Sequence, residues 1–144
     1  MDLTLELGQH KLNIRVAVLV RTTKGVLFEK GKDGYYFALG GRVKIGESSF
    51  DAAKREVQEE IGLHVDVLKL VSIVENFFTH KGFSFHEVCF VYLLEDIVDL
   101  ELPENIVAFT DVDLQSKDVR PEVIKKIINE KQEVVSHFII NINN

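Results

Sequence analysis

Between Gly41 and Leu63 the chain sets Gly41, Glu47, Arg55, Glu56, Glu59, Glu60 and Gly62 at fixed intervals, with apolar Val57 and Leu63 among them. On a helix Glu56 and Glu60 are i, i+4 neighbours and Glu59 lies i+3 from Glu56, so three carboxylates share one edge. Like charges at that spacing cost a helix about 0.2–0.5 kcal/mol per pair, and they make physical sense where something positive sits among them. Donors that are all oxygen, without His or Cys, suit a hard cation: Mg²⁺, with Mn²⁺ as a substitute. Arg55 can grip a neighbouring carboxylate such as Glu47 in a bidentate pair and fix its rotamer. A lone E-x-x-E is most often a solvated face; it is the full spacing across these residues that argues otherwise.

The elements that must position this set are legible in outline. Ser48 and Ser49 are both N-cap candidates, and Asp51 falls where a helix start favours negative charge. A helix is expected over Phe50–Ile61, stopped by Gly62, with Ala53, Val57 and Ile61 as its buried stripe. Upstream, Ile14–Val20 and Val26–Glu29 read as a hairpin turning at Gly25. The loop Gly31-Lys32-Asp33-Gly34 leads to a short strand at Tyr35–Leu39, and Gly40 to Gly46 reads as a loop with three glycines. Downstream, Val65–Val74, Phe85–Leu94 and Ile106–Phe109 read as strands, and Glu122–Lys131 as an amphipathic helix with Pro121 in its first turn. Val134–Ile140 is either a last strand or a helix extension, since periodicity does not separate the two. Strands with two separated helices indicate an α/β or α+β layered domain.

Further candidates lie outside this segment. Phe85, Glu87, Cys89, Val91 and Leu93 fall on one strand face, so Glu87 interrupts an apolar row. Either this is an edge strand with Glu87 at its solvated end, or the carboxylate projects toward the acidic cluster as an extra ligand or base. Phe77, Phe78, Phe83 and Phe85, flanked by His80 and His86, are either core or a platform on which a base stacks. Arg42 and Lys44 either touch substrate phosphates or are solvated loop charges. His10, His64 and His137 are ordinary surface or helix-end residues, and Cys89 reads as a small buried hydrophobe.

The segment Gly41–Leu63 resembles the signature of the Nudix hydrolases, G-x5-E-x7-R-E-U-x-E-E-x-G-U with U apolar, and meets every specified position. At ordinary residue frequencies such a match arises by accident with a probability on the order of 10⁻⁶ or less. One departure is Ala38-Leu39 before the paired glycines, where many members carry Leu-Pro; it removes no ligand. The resemblance covers about residues 12–131 of what reads as one domain over 1–144. It implies an α/β/α sandwich with a mixed central sheet and the box in a loop–helix–loop. It also implies divalent-metal-dependent hydrolysis of the pyrophosphate bond in a nucleoside diphosphate linked to another moiety, such as ADP-ribose or a nucleotide sugar. A nucleoside triphosphate pyrophosphohydrolase is the alternative, and a non-catalytic nucleotide sensor is the alternative of another class. Carried over position by position, Glu56 and Glu60 are metal ligands, Glu59 is a further ligand or water positioner, and the Gly40 carbonyl is another ligand. The general base is Glu56 or Glu59, or a glutamate outside the box such as Glu87. Many members are dimers, which leaves a homodimer open, though no heptad or interface segment points to one.

Composition frames this reading. Apolar residues make up 46% of the chain, too many for a disordered segment. The 17 basic and 23 acidic residues give a net charge of −6, which argues against a general nucleic-acid or membrane-surface binder. A lone Cys89 excludes an internal disulfide framework and fits a reducing, cytoplasmic setting. The first residues lack the basic and apolar regions of a secretory signal, and no apolar run approaches a bilayer span. An acidic protein accepts an anionic nucleotide only if a cation reverses the local field. Hydrolysis is therefore expected to vanish in excess EDTA and to return with Mg²⁺; turnover that persists in the chelator would refute this account.

Overall fold

From Val16 to Val20 apolar side chains alternate between two faces of one strand, and both faces are buried. In the computed structural model, which describes residues 1–130 and 133–142, this strand is the long β2 (His10–Thr22). Around it lie β1 (Thr4–Leu7), β3 (Gly25–Lys30), β4 (Tyr36–Arg42), β5 (Lys69–His80), β6 (Phe83–Ile97), β7 (Ile106–Phe109) and β8 (Ser136–Asn141). The sheet runs β7-β3-β4-β2-β6-β5-β8, with β1 paired to β2 beside this path. The β2–β6 and β5–β8 pairs are parallel and the other pairs are antiparallel.

Each face takes a helical layer. Val16, Val18 and Val20 face α1 (Ser49–Ile61), whose Ala52, Ala53, Val57 and Ile61 are buried against them. Ala17, Leu19, Val91 and Leu93 face the other way, toward Leu114 of α2 (Asp111–Leu114) and Ile124, Ile127 and Ile128 of α3 (Val123–Asn129). The result is an α/β/α sandwich on a mixed sheet, the architecture expected when a central strand is apolar on both sides. Among the described residues no helix is long and apolar enough to cross a membrane.

Several sequence expectations are corrected. Gly40 and Gly41 are not loop residues: β4 continues through both to Arg42. The strand expected over Val65–Val74 begins only at Lys69 and runs on to His80. Val65 and Leu68 are buried in the α1-side core from a loop, so their apolar character reports packing and not pairing. The strand bearing Glu87 is not an edge strand, because β6 lies between β2 and β5. The C-terminal helix is shorter than expected, and Lys131 lies outside the described residues. The open choice over Val134–Ile140 resolves as a strand, β8, whose Phe138 and Ile140 pack against the α3-side core. Short β1 and α2 carried too little periodicity to be read.

One topological feature positions the site. β4 pairs with β3 through Tyr36–Ala38 and then with β2 through Leu39–Arg42. It therefore changes partner at Leu39, a fully buried residue of the α1-side core, and a fork opens in the sheet. Leu39→Ala should cost about 2–5 kcal/mol, as for other buried leucines, read as a lower urea midpoint. An unchanged midpoint would show that this side chain does not hold the fork.

Candidate active site

The box helix is fixed at both ends by local chemistry. The Ser48 hydroxyl accepts the Asp51 N–H (3.0 Å), and Gly62 ends the helix in the left-handed conformation with φ 68°. Burying Ala53, Val57 and Ile61 against the sheet leaves Glu56, Glu59 and Glu60 along one flank. Arg55 gathers three acids. Its Nε and Nη2 donate to Glu47 at 2.8 and 2.9 Å, the expected bidentate pair. Nη1 donates to Glu56 at 3.0 Å and to Glu59 at 3.3 Å, and Nη2 also reaches the Arg42 carbonyl. Hydrogen bonding to Arg55 holds the Glu47 carboxyl below its usual range, and Glu47 in turn keeps Arg55 firmly charged.

Glu60 escapes this clamp. Its carboxylate rests on the Gly40 amide, whose N–H donates to it at 3.2 Å, in the fork where β4 has left β3. Burial, then the negative charges of Glu29, Glu56 and Glu59, push Glu60 up to about 8. Burial also raises Glu56, against the pull of Arg55. Gly40 is required here, and Gly41 gives Glu56 its place. Gly40 has φ 150°, and a side chain there would strike the Val16 carbonyl; a side chain on Gly41 would strike the Glu56 carboxylate. The glycines thus leave room for two carboxylates against the strand.

Does this donor set fit a divalent cation? Glu56 and Glu60 offer carboxylate oxygens beside Gly41 and Gly40, and one guanidinium is shared among the acids around them. That residual negative charge fits a hard cation. Among the described residues no three His, Cys, Asp or Glu side chains already converge on one point. The geometry shows why: Arg55 draws Glu56 and Glu59 to itself while Glu60 leans on Gly40. Glu59 is 54% exposed and stands apart from Glu60 in its contacts.

The remaining expected residues divide by sheet face. On the face away from α1, Glu87 lies beside Asn13 in the β2–β6 register. Asn13, 1% exposed, donates to Glu87 (2.8 Å) and accepts from the Thr4 hydroxyl (2.8 Å). Further along the same face Phe85 stacks on Phe78 with centroids 4.8 Å apart, and the Lys11 ammonium lies 4.2 Å from the Phe83 ring centroid. Phe77 does not join them; it points to the opposite face and packs on His86. Lys44 is exposed, and its backbone N–H serves Glu47. Arg42 lies on β4, 3.7 Å from Asp2. Sequence reasoning missed Asn13, Arg15 and Glu29. The alternation of Asn13 and Arg15 with Leu12, Ile14 and Val16 was the signal for those two, and Glu29 carried none.

A family model of the NUDIX domain matches residues 11–130. The chain belongs to the Nudix family. Members are pyrophosphohydrolases acting on phosphorus-containing anhydrides and generally need divalent metal ions. A curated relative, Nudix hydrolase 6 of Arabidopsis thaliana, is 30% identical over 82 residues; the match covers 53% of this chain and 28% of that protein. The chain thus spans little more than a quarter of that relative's length. Among solved structures it is similar to a MutT protein from Bacillus halodurans (20% identity, TM-score 0.69, covering 91% of this chain and 92% of that one). It is similar also to the C. elegans Ap4A hydrolase (17%, 0.60, 81% and 93%) and to an ADP-ribose pyrophosphatase from Streptococcus suis (17%, 0.56, 88% and 98%). At these identities the likeness is one of fold. α1 is the Nudix helix.

The electrostatics of this Nudix fork are testable without a substrate. Because the Glu60 carboxyl titrates higher when folded than when unfolded, its contribution is most favourable below the ordinary carboxylate value. It is lost as pH rises toward about 8. In EDTA at about pH 9, Glu60→Gln should therefore melt higher than the parent by about 2–4 °C, equivalent to about 1 kcal/mol. Mg²⁺ should raise the melting temperature of the parent but not of the variant. A variant that melts lower in EDTA would show that Glu60 is not under electrostatic strain.

Proposed function

We propose that this Nudix domain hydrolyses the pyrophosphate bond of a nucleoside diphosphate linked to another moiety, with ADP-ribose or a related nucleotide sugar as the leading substrate class. The observation that carries the reading is the Glu56–Glu60 pair held in the β4 fork, next to a sheet face that bears Glu87 and an aromatic platform. Mg²⁺, or Mn²⁺ in its place, held by Glu56 and Glu60 with Glu59 and the Gly40 carbonyl, would stabilise charge on the phosphoryl oxygens and acidify water. Glu47 and Arg55 fix Glu56 for that task.

The chain's own groups do the rest. Water attacks one phosphorus, a P–O–P bond breaks, the leaving phosphate takes the electron pair, and a carboxylate accepts the proton from water. Glu87 suits the last role. Asn13 fixes one of its oxygens, and the other makes no hydrogen bond among the described residues. Glu56 and Glu59 are the candidates within the box, but both are bound to Arg55. Phe78, Phe85 and Phe83 offer a surface on which the nucleoside base stacks.

A screen for phosphate or pyrophosphate release over nucleoside diphosphate sugars, dinucleoside polyphosphates and nucleoside triphosphates tests the reading, with Glu59→Gln and Glu60→Gln as inactive controls. Preference for triphosphates would replace the proposed substrate class. Binding without turnover of any compound would favour a sensor module. Glu87→Gln should lower kcat at least tenfold; near-normal turnover in that variant would return the base to the box.

A further inference from the structure

Two arginines face each other across the β2–β4 pair. Arg15 and Arg42 are directly opposed in the antiparallel register, next to Ala17 opposite Gly40. Cross-strand neighbours share a face, and like charges so placed are destabilising. An anion lying between or over the two would offset that cost. Arg42 has a distant partner in Asp2 at 3.7 Å, on a side chain 40% exposed. Arg15 has none: among the described residues its guanidinium makes no ion pair and no side-chain hydrogen bond, although the residue is half-buried. An arginine offers five donors in a planar fork, and here all of them are open to a ligand.

The surroundings say which ligand. In the β2–β6 register Arg15 stands beside Cys89, and on the same face the next pair is Asn13 with Glu87. Two residues further is Lys11 with Phe85, about 13 Å from Arg15 at strand rise. On its other side Arg15 is close enough to Glu56 to favour that carboxylate's charged form. This face therefore reads, in order, as arginine pair, Glu87, then aromatic platform, while the α1 carboxylates lie against Gly40 and Gly41, the residues that precede Arg42 on β4. Ala17, Ala38 and Gly40 leave no bulky side chain at the fork end of this row.

We infer that Arg15, with Arg42 opposite it, forms an anion subsite that takes the phosphate of a diphosphate lying between the carboxylate fork and the aromatic platform. The inference rests on the pyrophosphohydrolase reading for its substrate, but the subsite itself is defined by the register. Bidentate donation from Arg15 to phosphoryl oxygens would satisfy the unpaired fork and relieve the opposition of the two guanidinium groups.

The experiment compares the parent with Arg15→Gln, Arg15→Lys and the surface control Lys24→Ala. Inorganic pyrophosphate binding is measured by calorimetry in Mg²⁺, Mn²⁺ binding by spin resonance, and folding by circular dichroism. Pyrophosphate affinity should fall roughly 10- to 100-fold in Arg15→Gln, recover in part in Arg15→Lys, and stay unchanged in Lys24→Ala. Mn²⁺ affinity should change less than about threefold. Parent-like pyrophosphate affinity in a folded Arg15→Gln overturns the subsite, as does a parent that binds no pyrophosphate. A matching loss of Mn²⁺ affinity also overturns it, since Arg15 would then serve the carboxylates. A parent that binds pyrophosphate through Arg15 yet turns over no nucleotide leaves the subsite standing and refutes the hydrolase reading.

Discussion

The change of partner by β4 at Leu39 is the constraint from which the site follows. A strand that stayed with β3 along its length would have its amides paired and its glycines would be dispensable. Because β4 transfers to β2, the Gly40 N–H faces a gap, and a carboxylate from α1 fills it. Gly40 then has to lack a side chain because of the Val16 carbonyl, and the bare Gly41 leaves the Glu56 carboxylate where it lies. The fork is a defect in strand pairing that the helix repairs with charge.

Arg55 sets the balance of that charge. A planar guanidinium serves Glu47, Glu56 and Glu59 and also reaches the Arg42 carbonyl, which a lysine ammonium on a flexible stem would not do with fixed geometry. It restrains the acids without neutralising the fork, because Glu60 lies beyond its reach. The site is thus held in a state of residual electrostatic strain, the condition under which a cation contributes both stability and reactivity.

Much of the box was legible because its signals are local. A serine cap, a glycine stop and an apolar stripe specify α1 from its own residues, and the glutamate spacing follows from helical periodicity. The β-topology was not legible to the same degree. Gly40 and Gly41 suggested a loop because glycine is rare inside strands, and only the fork explains their presence there. Val65 and Leu68 suggested a strand because burial and pairing leave the same apolar mark. Asn13 and Arg15 showed only their alternation with apolar neighbours, which says nothing of a role. Their significance depends on Glu87, Cys89 and Arg42, which the fold brings beside them. For the same reason Phe77 could not be told from Phe78, although one residue decides which face of the sheet each occupies.

The parallel pairing of β2 with β6 joins Asn13 to Glu87 across a sequence separation of 74 residues. Parallel neighbours cannot form as a hairpin, and closing so long an intervening loop is slow compared with winding a capped helix. The carboxylate-bearing helix is therefore the kind of element that forms early, while the face carrying Arg15 and Glu87 is assembled only with the central sheet. A partly folded chain would display the acidic helix without the arginine and aromatic row beside it.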